Sequence, residues 1–504
     1  MDIGTKKKLS SKWILEFYKE LEKYDIENHG LLIMQGDDVV FEEYAYPYSH
    51  DMPHTLFSVT KSLVSTAVGF AIDEGLFSLD TKILPLFPEY KACKCDAWEK
   101  LTVRSLLTMQ SNKEFTFLQD MTGNYVEMFM KAPFRKKQGF LYSNNDVHVL
   151  SALIQKLSGM PVVDYLTPRL FQPLGIEKPF WETNSIGECI GGTGAYLKLY
   201  DLAKICRCYA DGGRFKGEQI IPQWWTREAT RMQVVFNEKE PDKGYGYLFW
   251  IENGIFSMTG MFGQIISYCP QYDAVIATMN SCIKEGDNER LLKSVLLNAF
   301  AEKSDDEWDE KLSCYLKERG EKPLPCTERL NIPTGQAFYL THFSNLLAKI
   351  MFPASLIPRS ITSSFAKRPK SNLNKLSFEK SESVLTVKWF EEDDEIVIKS
   401  GLDGVPRFSE SSIKGYPYKV WSYTYCEKGK LQMVVKPLNT LATQYITLDF
   451  NKNVVNLQIK GTPSFTEFIM KNAGTVPIFK KAPFSSVLKW LLSLTERPMK
   501  FKTK

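Results

Sequence analysis

Ser58-Val59-Thr60-Lys61 opens an apolar stretch that runs to Gly75, and this junction constrains the fold and chemistry of the chain more than any other feature. Leu63, Val64, Ala67, Val68, Ala71 and Ile72 recur at helical spacing, which predicts a helix over 58–75. A serine and a lysine three apart share one helix face, so an amine stands beside a hydroxyl. A serine hydroxyl is a poor nucleophile until a base takes its proton. The string alone carries little, because it occurs six times, starting at Ser58, Ser281, Ser364, Ser377, Ser411 and Ser486. Only Ser58 follows an extended approach, Thr55-Leu56-Phe57, and precedes a long apolar helix. The positive end of that helix favours a developing oxyanion. Burial of Lys61 by the same helix favours the neutral amine that a general base must be. The other five strings fall in predicted loops, strand edges or a basic tail.

Two further elements gain meaning beside it. Tyr142-Ser143-Asn144 occurs once, after the loop Lys136-Lys137-Gln138-Gly139 and before an apolar helix expected from about 145 to 157. A tyrosine near a lysine can relay a proton, and an asparagine amide can accept from a lysine while donating to a substrate carbonyl. Met258-Thr259-Gly260-Met261-Phe262-Gly263-Gln264 lies on or between predicted strands. Its glycines allow close backbone approach to a ligand.

The chain of 504 residues suggests more than one domain. A hairpin is predicted over 30–44, with Gly36-Asp37-Asp38 at its turn. Consecutive strands are expected at Tyr247-Leu248-Phe249-Trp250, Ile265 to Tyr268 and Ala274 to Ala277. Strands therefore flank a helical middle, which suggests an α+β fold, an α/β sandwich whose sheet draws on both ends of the domain. The expected division is a first domain over 1–300, an irregular or helical connector over 301–375, a β-rich accessory domain over 376–470 and a basic amphipathic tail over 471–504. Short strands at roughly ten-residue spacing make the third part a small antiparallel barrel or sandwich.

The net charge of +4 implies no bulk attraction to nucleic acid. The tail holds eight Lys or Arg against one acid, Glu496, so peripheral contact with an anionic membrane through 484–494 is one expectation and docking on the body the other. No signal-peptide core and no membrane-spanning apolar run is found, which gives a cytoplasmic expectation. The ten cysteines include Cys93/Cys95 and Cys206/Cys208 as C-x-C pairs, without zinc spacing, and are expected as reduced thiols. The five histidines are scattered, and His54, close to Ser58, is expected in a surface or capping role. No metal and no cofactor is called for.

Taken in order, these strings resemble the serine β-lactamase-like hydrolases, the class C β-lactamase and esterase-type penicillin-binding-protein family. The likeness also runs through Ala71 to Leu76, Leu79-Asp80, Leu101 to Thr108, Pro173-Leu174-Gly175-Ile176, Gly191-Gly192-Thr193-Gly194, Asp201-Leu202-Ala203-Lys204 and Tyr245-Gly246-Tyr247, across roughly 28–285. It implies an antiparallel sheet flanked by helices, with an all-helical subdomain. It also implies Ser58 as nucleophile, Lys61 and Tyr142 as base and proton relay, and Asn144 as a holder of Lys61 and substrate. The backbone N–H groups of Ser58 and Met261, beside Thr259 and Gly260, become the oxyanion hole. The family's lysine or histidine before Thr-Gly is here Met258. A lost charge-assisted contact costs about 1.5–3 kcal/mol, so β-lactams and D-Ala-D-Ala peptides are disfavoured. The expected substrate is a small carboxylic ester or amide, as in branches similar to the 6-aminohexanoate-dimer hydrolases. The alternatives are an acyltransferase using the same acyl-enzyme, a D-amino-acid peptidase or weak β-lactamase, and a non-catalytic sensor. The oligomeric state is left open.

Overall fold

The computed structural model describes residues 9–91, 95–114, 124–184, 186–283, 285–320, 323, 326, 331–341, 373–391, 394–413, 416–462 and 498–503. The expected membrane-contact segment 484–494 and part of the connector, 342–372, lie outside the described residues, as do Ser364, Ser486 and His342. Two compact units result, one within Met1–Arg319 and one within Gly320–Arg359 and Arg368–Lys504.

In chain order the first unit contains α1 (Ser11–Lys23), β1 (Glu27–Gln35), β2 (Asp38–Tyr44), β3 (His54–Thr55), α2 (Thr60–Asp73), α3 (Val103–Leu107), α4 (Tyr125–Lys131), α5 (Asn144–Ser158), α6 (Val162–Leu166), β4 (Tyr196–Leu197), α7 (Leu199–Ala210), β5 (Arg214–Phe215), β6 (Glu218–Gln219), α8 (Gln223–Ala229), β7 (Val234–Val235), β8 (Lys243–Tyr245), β9 (Trp250–Glu252), β10 (Ile255–Gly260), β11 (Gln264–Cys269), β12 (Ala274–Ser281), α9 (Glu285–Ser294) and α10 (Asp306–Glu318). Eight strands form one antiparallel sheet in the order β2-β1-β12-β11-β10-β9-β8-β7. The N-terminal hairpin thus pairs with the last strand, Leu32 opposite Ala277 and Ile33 opposite Ile276.

Alternation along these strands assigns two faces. Leu31, Ile33, Ile265 and Ile276 pack with Phe17, Leu21, Leu291 and Leu312 of α1, α9 and α10. Leu32, Met34, Ile266, Val275 and Ala277 share the larger core with α2, α5 and α7. Burying one Leu, Ile or Val side chain contributes about 1.5–3 kcal/mol, so both layers hold the sheet. The sandwich is α+β, as the flanking strands predict.

α2 is buried from Thr60 to Ala71. A helix buried on all sides lies inside a domain, and its polar groups Lys61, Ser62, Ser65 and Thr66 are hydrogen-bonded there. At Gly69 an added Cβ would stand 2.4 Å from Trp225 Cγ, so only glycine lets α8 approach this closely. The strand expected over 247–250 is instead a bend that starts β9 only at Trp250. Leu248 takes φ +67, and the carbonyls of Tyr247 and Leu248 accept from Ser65 Oγ (2.6 Å) and Ser62 Oγ (2.8 Å) of α2. The helix hydroxyls capture backbone groups that a strand would pair in the sheet.

The second unit holds β13 (Ala337–Leu340), β14 (Leu373–Lys380), β15 (Val384–Glu391), β16 (Asp394–Gly401), β17 (Arg407–Ile413), β18 (Tyr416–Glu427), β19 (Lys430–Pro437), β20 (Thr443–Asn451), β21 (Val454–Thr462) and β22 (Met499–Lys502). They form one ten-stranded sheet, order β16-β15-β14-β13-β22-β21-β20-β19-β18-β17. Gly401 of β16 also pairs with Tyr423 of β18, and Ser409 Oγ accepts from the Lys399 N–H at 2.7 Å, so the sheet curls back on itself. This barrel-like closure protects edges that would otherwise stay open. One cysteine expectation is corrected here. Cys326 and Cys426 are joined by a disulfide, with Cα atoms 5.0 Å apart across 100 residues of sequence. β18 brings to one place two thiols that no spacing rule relates.

Candidate active site

β3 leads into the site. It pairs with β4, and the Leu56 N–H donates to Ala195 O at 3.0 Å. Phe57 then adopts φ +47 and opens a 3₁₀ turn, Phe57–Val59, before α2 begins. A non-glycine residue in this region stores roughly 1–3 kcal/mol of strain. The Phe57 ring packs on Phe262, centroids 5.3 Å apart, and both rings are buried. Ser58 therefore stands on a rigid elbow rather than in the first turn of the α-helix.

Lys61 is 1% exposed. Its Nζ lies 2.8 Å from Ser58 Oγ, 2.7 Å from Asn144 Oδ1 and 2.7 Å from the Gly192 carbonyl. Three acceptors match the three donors of an ammonium. The Tyr142 ring lies 4.8 Å from the same Nζ. Asn144 is the first residue of α5, whose N-cap Ser143 accepts from the Asp146 N–H. Gly192 was not assigned a role by the sequence. An added Cβ at Gly191 would sit 2.8 Å from Val147 O, and one at Gly192 3.1 Å from Asn144 Oδ1. The glycine pair lets this loop lie on α5 and aim a carbonyl at Lys61; the doublet itself was the available signal.

The end of β10 closes the opposite side. A Cβ on Gly260 would stand 2.3 Å from Leu56 O and 3.3 Å from Ser58 N, so strand and elbow touch backbone to backbone. The turn after it, with Phe262 at φ +65 and Gly263 at φ +92, is held by side-chain amides. Asn280 and Asn288 donate to Gly263 O at 2.7 and 3.1 Å, and Gln264 donates to Asn280 O at 2.7 Å. Met261 follows Gly260 directly and opens this turn. Thr259 is half-buried on the same strand, while Met258 is buried in the apolar core with Leu56 and Val59. Met258 brings no charge to the cleft.

Two buried groups support the elbow and α5. His54 is 2% exposed, which corrects the surface role expected for it. Its Nε2 lies 3.0 Å from His29 Nδ1 and its Nδ1 3.0 Å from Thr55 O, and burial pushes its pKa down to about 4. Asp146 accepts from Ser111 Oγ at 2.8 Å, and burial pushes its carboxyl up to about 7 against the Ser111 and Ser143 hydrogen bonds. Ser111 belongs to the loop that also receives the Leu141 N–H on Met109 O at 2.9 Å, so Asp146 fastens the Tyr142 segment.

Other strings of the resemblance prove structural. Lys204 pairs with Asp201 at 2.8 Å and donates to Leu174 O at 3.0 Å, which fastens α7 to the Pro173–Gly175 turn. Arg104 reaches Asp80 at 3.2 Å and Tyr247 Oη at 2.6 Å. Among the described residues, no group of three or more His, Cys, Asp or Glu side chains is placed to hold a metal ion. No helix among them is long and apolar enough to cross a membrane.

Comparison with known proteins places the chain among hydrolases. A 6-aminohexanoate-dimer hydrolase of Paenarthrobacter ureafaciens is 24% identical over 283 residues, 50% of this chain and 72% of the relative. An uncharacterized protein of Alkalihalophilus pseudofirmus is 22% identical over 304 residues, 52% of this chain and 86% of the relative. A putative β-lactamase from Bacteroides dorei shares the fold, with a TM-score of 0.50 and 14% identity over 58% of this chain and 98% of that one. Residues 16–297 match the β-lactamase family, more than half of the chain, and the chain therefore belongs to that family of serine β-lactamase-like hydrolases.

Proposed function

We propose that the chain hydrolyses carboxylic esters or amides through an acyl-enzyme on Ser58. The observation that carries this reading is the placement of Lys61. Asn144 Oδ1 and Gly192 O hold two of its N–H directions, and the third points at Ser58 Oγ, 2.8 Å away. When Lys61 is neutral, that direction is a lone pair aimed at the hydroxyl proton. Ser58 Oγ then attacks the carbonyl, and the proton passes through Lys61 and Tyr142 to the departing alcohol or amine. The negative oxygen develops between the N–H groups of Ser58 and Met261, where each preorganised donor is worth about 10²- to 10³-fold in rate. Water attacks the acyl-enzyme with the same groups acting in reverse.

Met258 favours substrates without a carboxylate anchor. The missing charge-assisted contact corresponds to about one to two decades in affinity. The relative named as a 6-aminohexanoate-dimer hydrolase supports placing linear amides on the substrate panel.

A fluorophosphonate probe tests the nucleophile. Labelling is expected on Ser58, read by peptide mass, and absent in Ser58→Ala. A panel of nitrophenyl esters, small linear amides, D-Ala-D-Ala peptides and nitrocefin tests the substrate class. Ser58-dependent turnover of esters or amides with weak nitrocefin turnover is expected. Unlabelled Ser58 in folded protein, or nitrocefin as the best substrate, would overturn the reading.

A further inference from the structure

Tyr142, the proton relay of the reading above, is the first member of an aromatic cluster whose other rings that chemistry does not use. Its ring stacks on Trp250, centroids 5.5 Å apart at 28°. Trp250 meets Phe236 at 5.7 Å, and Phe236 meets Phe140 at 4.7 Å. Tyr245 backs the group, 5.3 Å from Phe140 and 5.1 Å from Trp250. Tyr245 is fully buried, but Phe140, Tyr142 and Trp250 are only half-buried and Phe236 is 36% exposed. Four partly exposed rings in a row, starting at the residue beside Lys61, form a shelf of apolar surface at the reactive centre. Such a patch marks a binding site more often than chance exposure does.

The position of Tyr142 says which part of a substrate meets this shelf. In the proposed reaction Ser58 Oγ first adds to the carbonyl carbon, and the C–O or C–N bond to the leaving group breaks as the resulting oxyanion collapses. The electron pair goes to the leaving heteroatom, and the proton from Ser58 reaches it through Lys61 and Tyr142. The leaving group must therefore depart beside Tyr142, and its next atoms run along Trp250 and Phe236. We propose that Phe140, Phe236 and Trp250 form a leaving-group subsite for uncharged, flat apolar alcohols or amines, above all aryl-bearing ones. This inference rests on the hydrolase reading. Charge agrees with it. The Tyr142 ring already faces the Lys61 ammonium, which disfavours a second cation. Lys243 and Lys293, near the same strands, are both engaged by Glu252, which leaves neither as a ready anchor for a carboxylate.

Acetate esters of 2-phenylethanol and 1-butanol test the subsite, because both acylate Ser58 with the same acetyl group and their alcohols have near-equal acidity. Wild type is expected to prefer the phenylethyl ester by about tenfold or more in kcat/KM, the scale of burying one ring. Phe236→Ala, at an exposed position, should abolish most of that preference, chiefly by lowering kcat/KM for the phenylethyl ester, with an unchanged Tm reporting that the fold is kept. Trp250→Leu should lower the preference too, with turnover of both esters falling because the Tyr142 ring loses its stacking partner. Moving the ring to the acyl side, as in ethyl phenylacetate against ethyl butyrate, should give a ratio that Phe236→Ala leaves unchanged. Turnover without a phenylethyl preference, or a preference unmoved in both variants, overturns the subsite alone. A Phe236→Ala effect confined to the aryl acyl esters overturns its assignment to the leaving group. Absence of Ser58-dependent turnover on every ester overturns the hydrolase reading and this inference with it.

Discussion

Ser58-Val59-Thr60-Lys61 and Ser377-Phe378-Glu379-Lys380 have the same spacing of serine and lysine, and the molecule uses them in opposite ways. The first straddles a 3₁₀ turn and the start of α2, so one turn brings Nζ to 2.8 Å from Oγ. The second lies on β14, where residues three apart point to opposite faces and their Cα atoms are about 10 Å apart. Lys380 is exposed, whereas Lys61 is buried with three oxygen acceptors. A shared string therefore becomes a shared chemistry only when the backbone period matches it and neighbours supply the remaining contacts.

The comparison breaks most sharply at the two strings themselves. Ser58→Ala and Lys61→Ala should each lower kcat on the best ester by about 10⁴-fold or more. Ser377→Ala and Lys380→Ala should leave it within about twofold. Steady-state kinetics on the four variants decides, and an equal loss in both pairs would dissolve the distinction.

Gly260→Ala asks whether the first string needs β10 beside it. The new Cβ would stand 2.3 Å from Leu56 O, so strand and elbow must part. A fall in kcat of about 10²- to 10³-fold is expected, the worth of one oxyanion donor. If kcat were unchanged while Tm fell, the close approach would serve stability alone.

Two buried titrating groups support the first string. The Asp146 carboxyl keeps its proton in the folded state to about pH 7, while an unfolded aspartate loses it near 4. Between those values the native state binds more protons, so stability falls as pH rises, by at most about 4 kcal/mol. Asp146→Asn should remove that falling slope in denaturant titrations from pH 4 to 8. His54 acts with the opposite sign. An unfolded histidine protonates below about 6.5, but the folded one waits until about 4. Stability is then lost as pH falls between the two, by at most about 3 kcal/mol. His54→Gln should flatten that loss. Equal pH profiles in wild type and both variants would remove these groups from the account of the elbow.

Much of this was legible in the chain. α2 and α5 follow their apolar periods, and α5 ends at Ser158, capped by Gly159 at φ +73, one residue past the expected 157. The 247–250 segment was misread as strand because its aromatic run fits a buried strand equally well. Its carbonyls go instead to Ser62 and Ser65, hydroxyls on a helix about 180 residues earlier. His54 was misread because no local pattern reports His29 as its partner. The same holds for Cys326 and Cys426, whose pairing depends on how β18 runs.

By itself the sequence determined the helix under Ser58 and Lys61, the order of the three site strings, the α+β class and the loss of a cation at Met258. These depend on residue type and on periods that nearest neighbours enforce. Only the tertiary structure decided that Gly192 O completes the cage of Lys61, that Gly260 meets the elbow backbone, and that an aromatic shelf continues from Tyr142. Each of those is a meeting between segments tens to hundreds of residues apart. Such meetings are selected by the shared burial of whole elements, which no local stretch of sequence encodes.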